Sequence, residues 1–372
     1  MTTLQSSIAC NLDSNILKAA LPLFEKGEVE AIEWSFDALF RFQDIPNWFT
    51  DLIMAFATEQ RLIGHGVFFS IFSGKWKAEQ EQWLAHLSEV ARQFSFQHIT
   101  EHFGFMTGEN FHAGAPMSIP INTQTLSIGR DRLQRIYEAC HCPVGQENLA
   151  FAYSLEDVKQ QGHFLEELLR PINGFIILDL HNLYCQLYNF NIDFQSLIQS
   201  YPLNRVREIH ISGGSWEGST LTPTKRVRRD THDDAVPEAV FQLLAQTIPL
   251  CPNLNYVVLE QIGTGLQSQE SQLQYQHDFR KMQTIVKRFT ASSNIQNNFI
   301  PDSLPSLSLP VEDTLLASQQ LELSNILENA KDYQEAQKLL ESSSLSQSSW
   351  QVEQWAPHML ETALHIAQKW KA

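Results

Sequence analysis

Residues 174–181 read GFIILDLH. A short apolar, β-branched run that stops on polar residues predicts a buried strand. Seven other stretches share this build: SIACNL (7–12), AIEWSF (31–36), IGHGVFFS (63–70), FQHITEHF (96–103), PVGQENLA (143–150), VREIHISG (206–213) and NYVVLEQI (255–262). Stretches with helical periodicity lie between them, among them AEQEQWLAHLSEVARQF and TQTLSIGRDRLQRIYEAC. Strand–helix alternation repeated eight times predicts parallel strands joined by right-handed crossovers. Eight such units in about 290 residues match the α/β class of the (β/α)8, or TIM, barrel. An open doubly wound sheet usually carries a phosphate-binding glycine turn after its first strand. ACNLDSN (9–15) has none.

The chain changes character near Ser292, where SSNIQNNFIPDSLPSLSLP is rich in Ser, Asn and Pro. The expected organisation is a TIM-barrel domain over 1–290, a linker over 291–311 and a helical C-terminal extension over 312–372. In the extension, VEDTLLASQQLELSNILENA, DYQEAQKLLES and QVEQWAPHMLETALHIAQKWK read as amphipathic helices. So short a helical unit lacks a robust core of its own and is expected to pack on the barrel or on a partner.

With 43% hydrophobic residues in 372, the chain has ample material for a large core. A net charge of −16 argues against nonspecific nucleic-acid binding, which needs a basic surface. No uninterrupted apolar segment is long enough to span a bilayer, and the first residues lack the pattern of a signal peptide. A cytoplasmic location without membrane contact is expected. Five scattered cysteines, Cys10, Cys140, Cys142, Cys185 and Cys251, are not a disulfide framework and read as free thiols.

The last residues of the proposed strands carry the chemistry. They are Glu33, His65, His102, Glu147, Asp179 with Asn182, His210 and Glu260, and KRVRRDTHDDAVPE (225–238) adds Asp230 and His232. In a barrel the carboxyl ends of the strands converge on one face. Carboxylates and imidazoles gathered there without cations would be costly to bury. A lone His in a strand is more often a hydrogen-bonded core residue, and a lone Glu more often pairs with a cation. Those bland readings weaken when nearly every strand needs one at the same end. His98 is expected to support the site from behind rather than to ligate, and His181 to point away from it. His86, His163, His358 and His365 fall in helices and read as surface or packing residues. Lys225–Arg229 reads as counter-charge for Asp230, Asp233 and Asp234, with steering of an acidic peptide as the alternative. A nitrogen and oxygen donor set without thiolate suits Fe, Mn or Zn. Multinuclear sites of this type serve hydrolysis or dioxygen activation, and ligand type does not separate the two.

The order HGV, TEHFGF, ENLAF, LDLHN, EIHISG, DTHDD and LEQ resembles that of the multinuclear non-heme iron-dependent oxidative enzymes. These include the iron enzyme of methanobactin synthesis and act on ribosomally made peptides. The resemblance covers residues 7–290 and extends more broadly to the xylose-isomerase-like barrels, including trinuclear zinc endonucleases. It implies one ion on His65, His102 and Glu147, and a second sharing Glu147 with Asp179, His210 and Glu260. A third would sit with Asn182, Asp230 and His232. It further implies two to three iron ions in mixed Fe(II)/Fe(III) states, O2 as co-substrate, and a peptide substrate modified at a Cys or an acidic residue. A leader-binding role falls to a partner protein or to the C-terminal extension. The chain departs from the family at Gly214, where a second His is common, and at Glu260-Gln261-Ile262, where Glu-Arg-Asp is common. A zinc or manganese hydrolase or sugar isomerase on the same barrel is the alternative.

Overall fold

The computed structural model describes residues 4–40, 45–108, 111, 114–222, 224–289 and 297–371. Eight strands form a closed barrel: β1 (Gln5–Ala9), β2 (Ala31–Trp34), β3 (Leu62–His65), β4 (Ile99–Glu101), β5 (Val144–Glu147), β6 (Phe175–Asp179), β7 (Val206–Ile211) and β8 (Tyr256–Leu259). Each strand pairs in parallel with its neighbours in sequence, and β8 closes on β1 with Gln5 opposite Tyr256 and Ile8 opposite Leu259. This is the TIM-barrel topology that the alternation predicts.

The helices begin where the sequence offers caps. α1 (Ser14–Glu25) starts on Asp13, and α4 (Thr123–Cys140) starts on Asn122, which accepts from the amides of Gln124 and Thr125. In α5 (Leu155–Leu169), Ser154 and Asp157 form a reciprocal capping box. α2 (Asn47–Thr58) and α3 (Ala78–Gln93) complete the first half of the outer ring. α6 (Leu180–Phe190), the short α7 (Phe194–Ile198), α8 (Glu238–Thr247) and α9 (Gln269–Phe289) follow.

The strands are shorter than their apolar runs. The clearest difference lies at GFIILDLH: Asp179 ends β6 and also caps α6, accepting from Asn182 N at 2.5 Å, so Leu180 and His181 are helical. Strand alternation therefore does not apply at His181 or Asn182.

Of the expected linker, residues 291–296 lie outside the described residues. From Asn297 the chain runs against the barrel. Phe299 is fully buried at the amino end of the strands, its ring 5.7 Å from Phe175 and beneath the Arg207 guanidinium. Asn297 is held by reciprocal amide bonds to Asn173 at 3.0 Å. Farther on, the carbonyls of Pro305, Ser308 and Val311 accept from Gln134, Arg135 and Arg132 of α4.

The strap leads to α10 (Thr314–Asn329), α11 (Tyr333–Glu341) and α12 (Pro357–Lys369), which pack on the loops at the carboxyl end of the barrel. Gln320 bonds the carbonyl of Phe72 and the amide of Gly74, both in the loop after β3. Trp350 meets Phe105 after β4, Trp355 stacks on Tyr153 after β5 at 3.7 Å, and Gly114 N donates to Trp370 O. The apolar stripes read from the sequence are covered by these loops and by one another, with Leu323, Leu327, Ala363 and Leu364 buried. Among the described residues, no helix is long and apolar enough to cross a membrane.

Phe299 has positive φ (+57°), a conformation that a bulky residue holds only under outside constraint, here burial in the barrel floor. Phe299→Ala is expected to remove about 3–5 kcal/mol of stability, by loss of burial and an unfilled cavity. Equilibrium urea unfolding checks this. A change below about 1 kcal/mol would mean that Phe299 does not plug the barrel.

Candidate metal centre

Because all eight strands are parallel, their last residues share one face. His65, Glu147 and Asp179 are the final residues of β3, β5 and β6. His210 is one residue from the end of β7, and His102 and Glu260 each follow a strand directly. Asn182 lies in the first turn of α6. Asp230 and His232 lie beyond a hairpin after β7, formed by Trp216–Gly218 and Arg226–Arg228.

These side chains meet in two groups that share Glu147. His65 and His102 approach Glu147 Oε2 at 3.4 and 3.2 Å, and potential donor atoms of the three lie within 4.8 Å of one another. Glu147, Asp179, His210 and Glu260 form a second such group, with His210 Nδ1 3.2 Å from Glu260 Oε2 and 3.8 Å from Glu147 Oε1. Glu260 in turn leads to the hairpin loop: its Oε1 is 3.3 Å from His232 Nδ1, and His232 Nε2 is 2.9 Å from Asp230 Oδ1. Asn182 is found against Glu147 and the carbonyl of Asn148, at 3.4 and 2.8 Å. The site thus joins all nine candidate residues in one connected set.

Hydrogen bonds behind the donors fix which atoms face the mouth. Thr100 Oγ1 donates to the Gly64 carbonyl and so accepts from His65 Nδ1–H at 2.8 Å, leaving Nε2 to face Glu147. His210 Nε2 faces Glu33 Oε2 at 3.0 Å and Glu208 Oε1 at 3.2 Å, which turns Nδ1 inward. Arg207 Nε donates to His98 Nδ1, so His98 Nε2–H donates to Glu208 Oε2 at 2.6 Å. His98 therefore supports His210 from behind, through a carboxylate absent from the sequence reading. The signal for Glu208 was available, because alternation in VREIHI puts it on the face of His210. Glu33 also belongs to this support.

His181 does not point away. Its Nδ1 is 2.9 Å from Asp230 Oδ1, while Arg228 Nε donates to its Nε2 at 3.1 Å. With Nε2 accepting and Nδ1–H donating, the ring has no lone pair left for a cation, so it orients Asp230. The basic run divides accordingly. Arg228 serves His181 and Arg229 pairs with Glu217, rather than with the aspartates beyond. A Cβ at Gly214 would lie 2.2 Å from the Arg229 carbonyl oxygen and 2.9 Å from His181 Cε1. The loop that carries Asp230 closes into the space that a side chain there would need.

Several buried polar atoms lack hydrogen-bond partners: Asp179 Oδ2, Asn182 Oδ1, His102 Nδ1 and Glu33 Oε1. Leaving such atoms unpaired is costly. For Asp179 Oδ2 and Asn182 Oδ1, hard cations in the mouth would remove that cost, and the set of imidazole, carboxylate and amide donors suits iron, manganese or zinc.

The protonation states reflect the same crowding. Burial works against the His65 cation, but the carboxylates of Glu33 and Glu147 outweigh it and push the imidazole up to about 9. His232 is likewise held well above the usual range, against burial, by Asp230 and Glu260. His102 falls to about 4 through burial and the charge of His65. Burial raises Asp179 well above the carboxylate range, with the charges of Asp230 and Glu147 adding to it.

A model of the family described as RiPP precursor modification enzyme MbnB/TglH/ChrH matches residues 42–264. The chain belongs to this family. Similar curated proteins include a UPF0276 protein of Anaeromyxobacter sp. (strain Fw109-5), 27% identical over 186 residues, covering 50% of this chain and 62% of that one. A UPF0276 protein of Caulobacter vibrioides is 23% identical over 180 residues, covering 48% of this chain and 61% of that one. The chain thus spans less than two thirds of the length of these relatives. Among solved structures, the IolI protein with a bound zinc atom aligns with a TM-score of 0.49 at 12% identity, covering 77% of this chain and 99% of that one. An L-ribulose 3-epimerase aligns at 0.47 and 12%, covering 79% and 99%.

Metal uptake is expected to release protons. Without metal, His65 contributes stability that is complete below the ordinary imidazole value of 6.5 and is lost as pH rises through about 9. A cation must displace that proton, so apparent affinity should rise between those values, by up to about tenfold per pH unit for each proton displaced. Calorimetric titration in buffers of different ionisation enthalpy measures the release. A pH-independent affinity would contradict the assignment of His65 as a ligand.

Proposed function

We propose that this protein is a multinuclear non-heme iron enzyme that uses O2 to oxidise a ribosomally synthesised peptide at a Cys or an acidic residue. The observation that carries the reading is the pair of donor groups sharing Glu147, whose Oε2 serves His65 and His102 while its Oε1 faces His210 and Asn182. Membership of a family of peptide-modifying enzymes supports the substrate class.

His65, His102 and Glu147 would hold one ion, and Glu147, Asp179, His210 and Glu260 a second. Asp230, His232 and the unpartnered Oδ1 of Asn182 are the donors for a third. Bound iron supplies Lewis acidity and one-electron redox capacity, with O2 as the oxidant. The protein's own part is to hold these donors rigid. Thr100 and the Glu33–Glu208–His98 set lock the His65 and His210 rings, and the Arg228–His181 pair locks Asp230. Rigid donors preserve the site as substrate enters and leaves.

Anaerobically purified protein is expected to carry about two to three ions per chain, mainly iron. It should consume O2 with a short Cys-bearing or acidic precursor peptide encoded beside its gene, which gains a mass change. Stoichiometric zinc, with no activity after iron reconstitution, would instead favour the hydrolase or isomerase alternative. Glu147→Ala should abolish oxidation and lose metal from both groups at once, as elemental analysis would show. Loss from one group alone would mean that Glu147 is not shared.

A further inference from the structure

The loop that carries Asp230 and His232 is held on its barrel side by His181 of α6, by Glu260 after β8 and by the Ile262 amide, which donates to the His232 carbonyl. It follows a two-stranded hairpin, and His232 has positive φ (+53°), which a non-glycine residue keeps only when its surroundings hold it there. α12 holds the hairpin that leads into this loop from its other side. Glu361, 5% exposed, accepts from Ser219 Oγ at 2.7 Å, from Thr220 N at 2.8 Å and from Thr220 Oγ1. One helical turn on, His365 Nδ1 is 2.5 Å from Glu217 Oε1, and the other oxygen of Glu217 pairs with Arg229, the neighbour of Asp230. At the start of the helix, His358 Nε2 donates to the carbonyl of Asn189 at 3.3 Å. Asn189 in turn makes two bonds to the Arg228 backbone, at 2.8 and 3.0 Å.

We propose that α12 is a working part of the metal centre: Glu361 and His365 are positioning residues that fix the hairpin, so that the ion held by Asp230 and His232 depends on the C-terminal helix. This rests on the metal-binding reading above. It also revises the reading of His365 as a surface or packing residue. The geometry acts in one direction along the chain. Glu361 grips the tip side of the hairpin at Ser219 and Thr220, and the His365–Glu217–Arg229 series reaches the strand that leads into Asp230. Asn182 sits in α6 and the remaining donors stand at or beside strand ends; none of them touches α12 through these contacts. Loosening the helix contacts should therefore release one subset of donors and spare the rest.

The test uses full-length Glu361→Ala, Glu361→Gln and His365→Ala. Gln keeps the shape of Glu361, one acceptor oxygen for Thr220 N, and an amide that can donate to Ser219 Oγ. In metal-free protein, amide hydrogen exchange over residues 229–232 is expected to quicken by about tenfold or more in both Ala variants, with the barrel strands unchanged. After reconstitution with ferrous iron, both should hold about one ion per chain fewer than the wild type, and Glu361→Gln should recover most of the difference. If Glu361→Ala proves unstable, His365→Ala alone decides, since its side chain is on the surface side of the contact. Unchanged exchange over 229–232 would overturn the proposal, as would faster exchange with full metal content. Wild-type protein that takes up no metal would count against the metal-binding reading instead, because the exchange comparison needs no ion.

Discussion

Glu147 carries a carboxylate into a buried mouth where four imidazoles and three further carboxylates converge. Water does not reach most of these atoms, so each must find a partner among the others or in a cation. Its two oxygens face different groups of donors, which makes one side chain the common edge of two candidate sites. The rest of the barrel can be read as the framework that brings those donors to Glu147. Parallel pairing puts the strand ends on one face, and the closure of β8 on β1 brings Glu260 beside His210.

The support behind the donors has a consistent design. Two of the imidazoles spend one nitrogen on a fixed partner, Thr100 for His65 and the Glu33–Glu208 pair for His210, so the other nitrogen faces the mouth. His181 spends both, on Asp230 and Arg228, and so acts as an orienting group. Asp179 has a double role: one oxygen caps α6 while the other stands unpartnered in the mouth. A helix start and a candidate ligand are therefore the same residue, and α6 cannot shift without moving both.

The segment after the barrel is tied to both of its ends. Phe299 fills the floor beside Phe175, and the strap along α4 carries the chain to the opposite face, where α10, α12 and the segment between α11 and α12 meet the loops after β3, β4, β5 and β7. Ser, Asn and Pro richness suggested a tether, because composition reports backbone preference and says nothing of where one aromatic ring will lodge. A single Phe in a polar stretch has no periodicity to announce it.

Local patterning was enough to specify the eight strands, the class of barrel and the strand-end candidates, because a buried parallel strand must be apolar and its functional residues must stand at its carboxyl end. What tertiary structure decided were the contacts between residues far apart in sequence. Alternation failed at His181 because Asp179 had already begun a helix. The basic run could not show that Arg228 would serve His181 and Arg229 would serve Glu217, since a charge finds its partner in space. Nor could an isolated His365 in an amphipathic helix reveal that it reaches Glu217, next to the loop of Asp230. Sequence spacing determines which face of an element a residue occupies; only the packing of elements determines what that face meets.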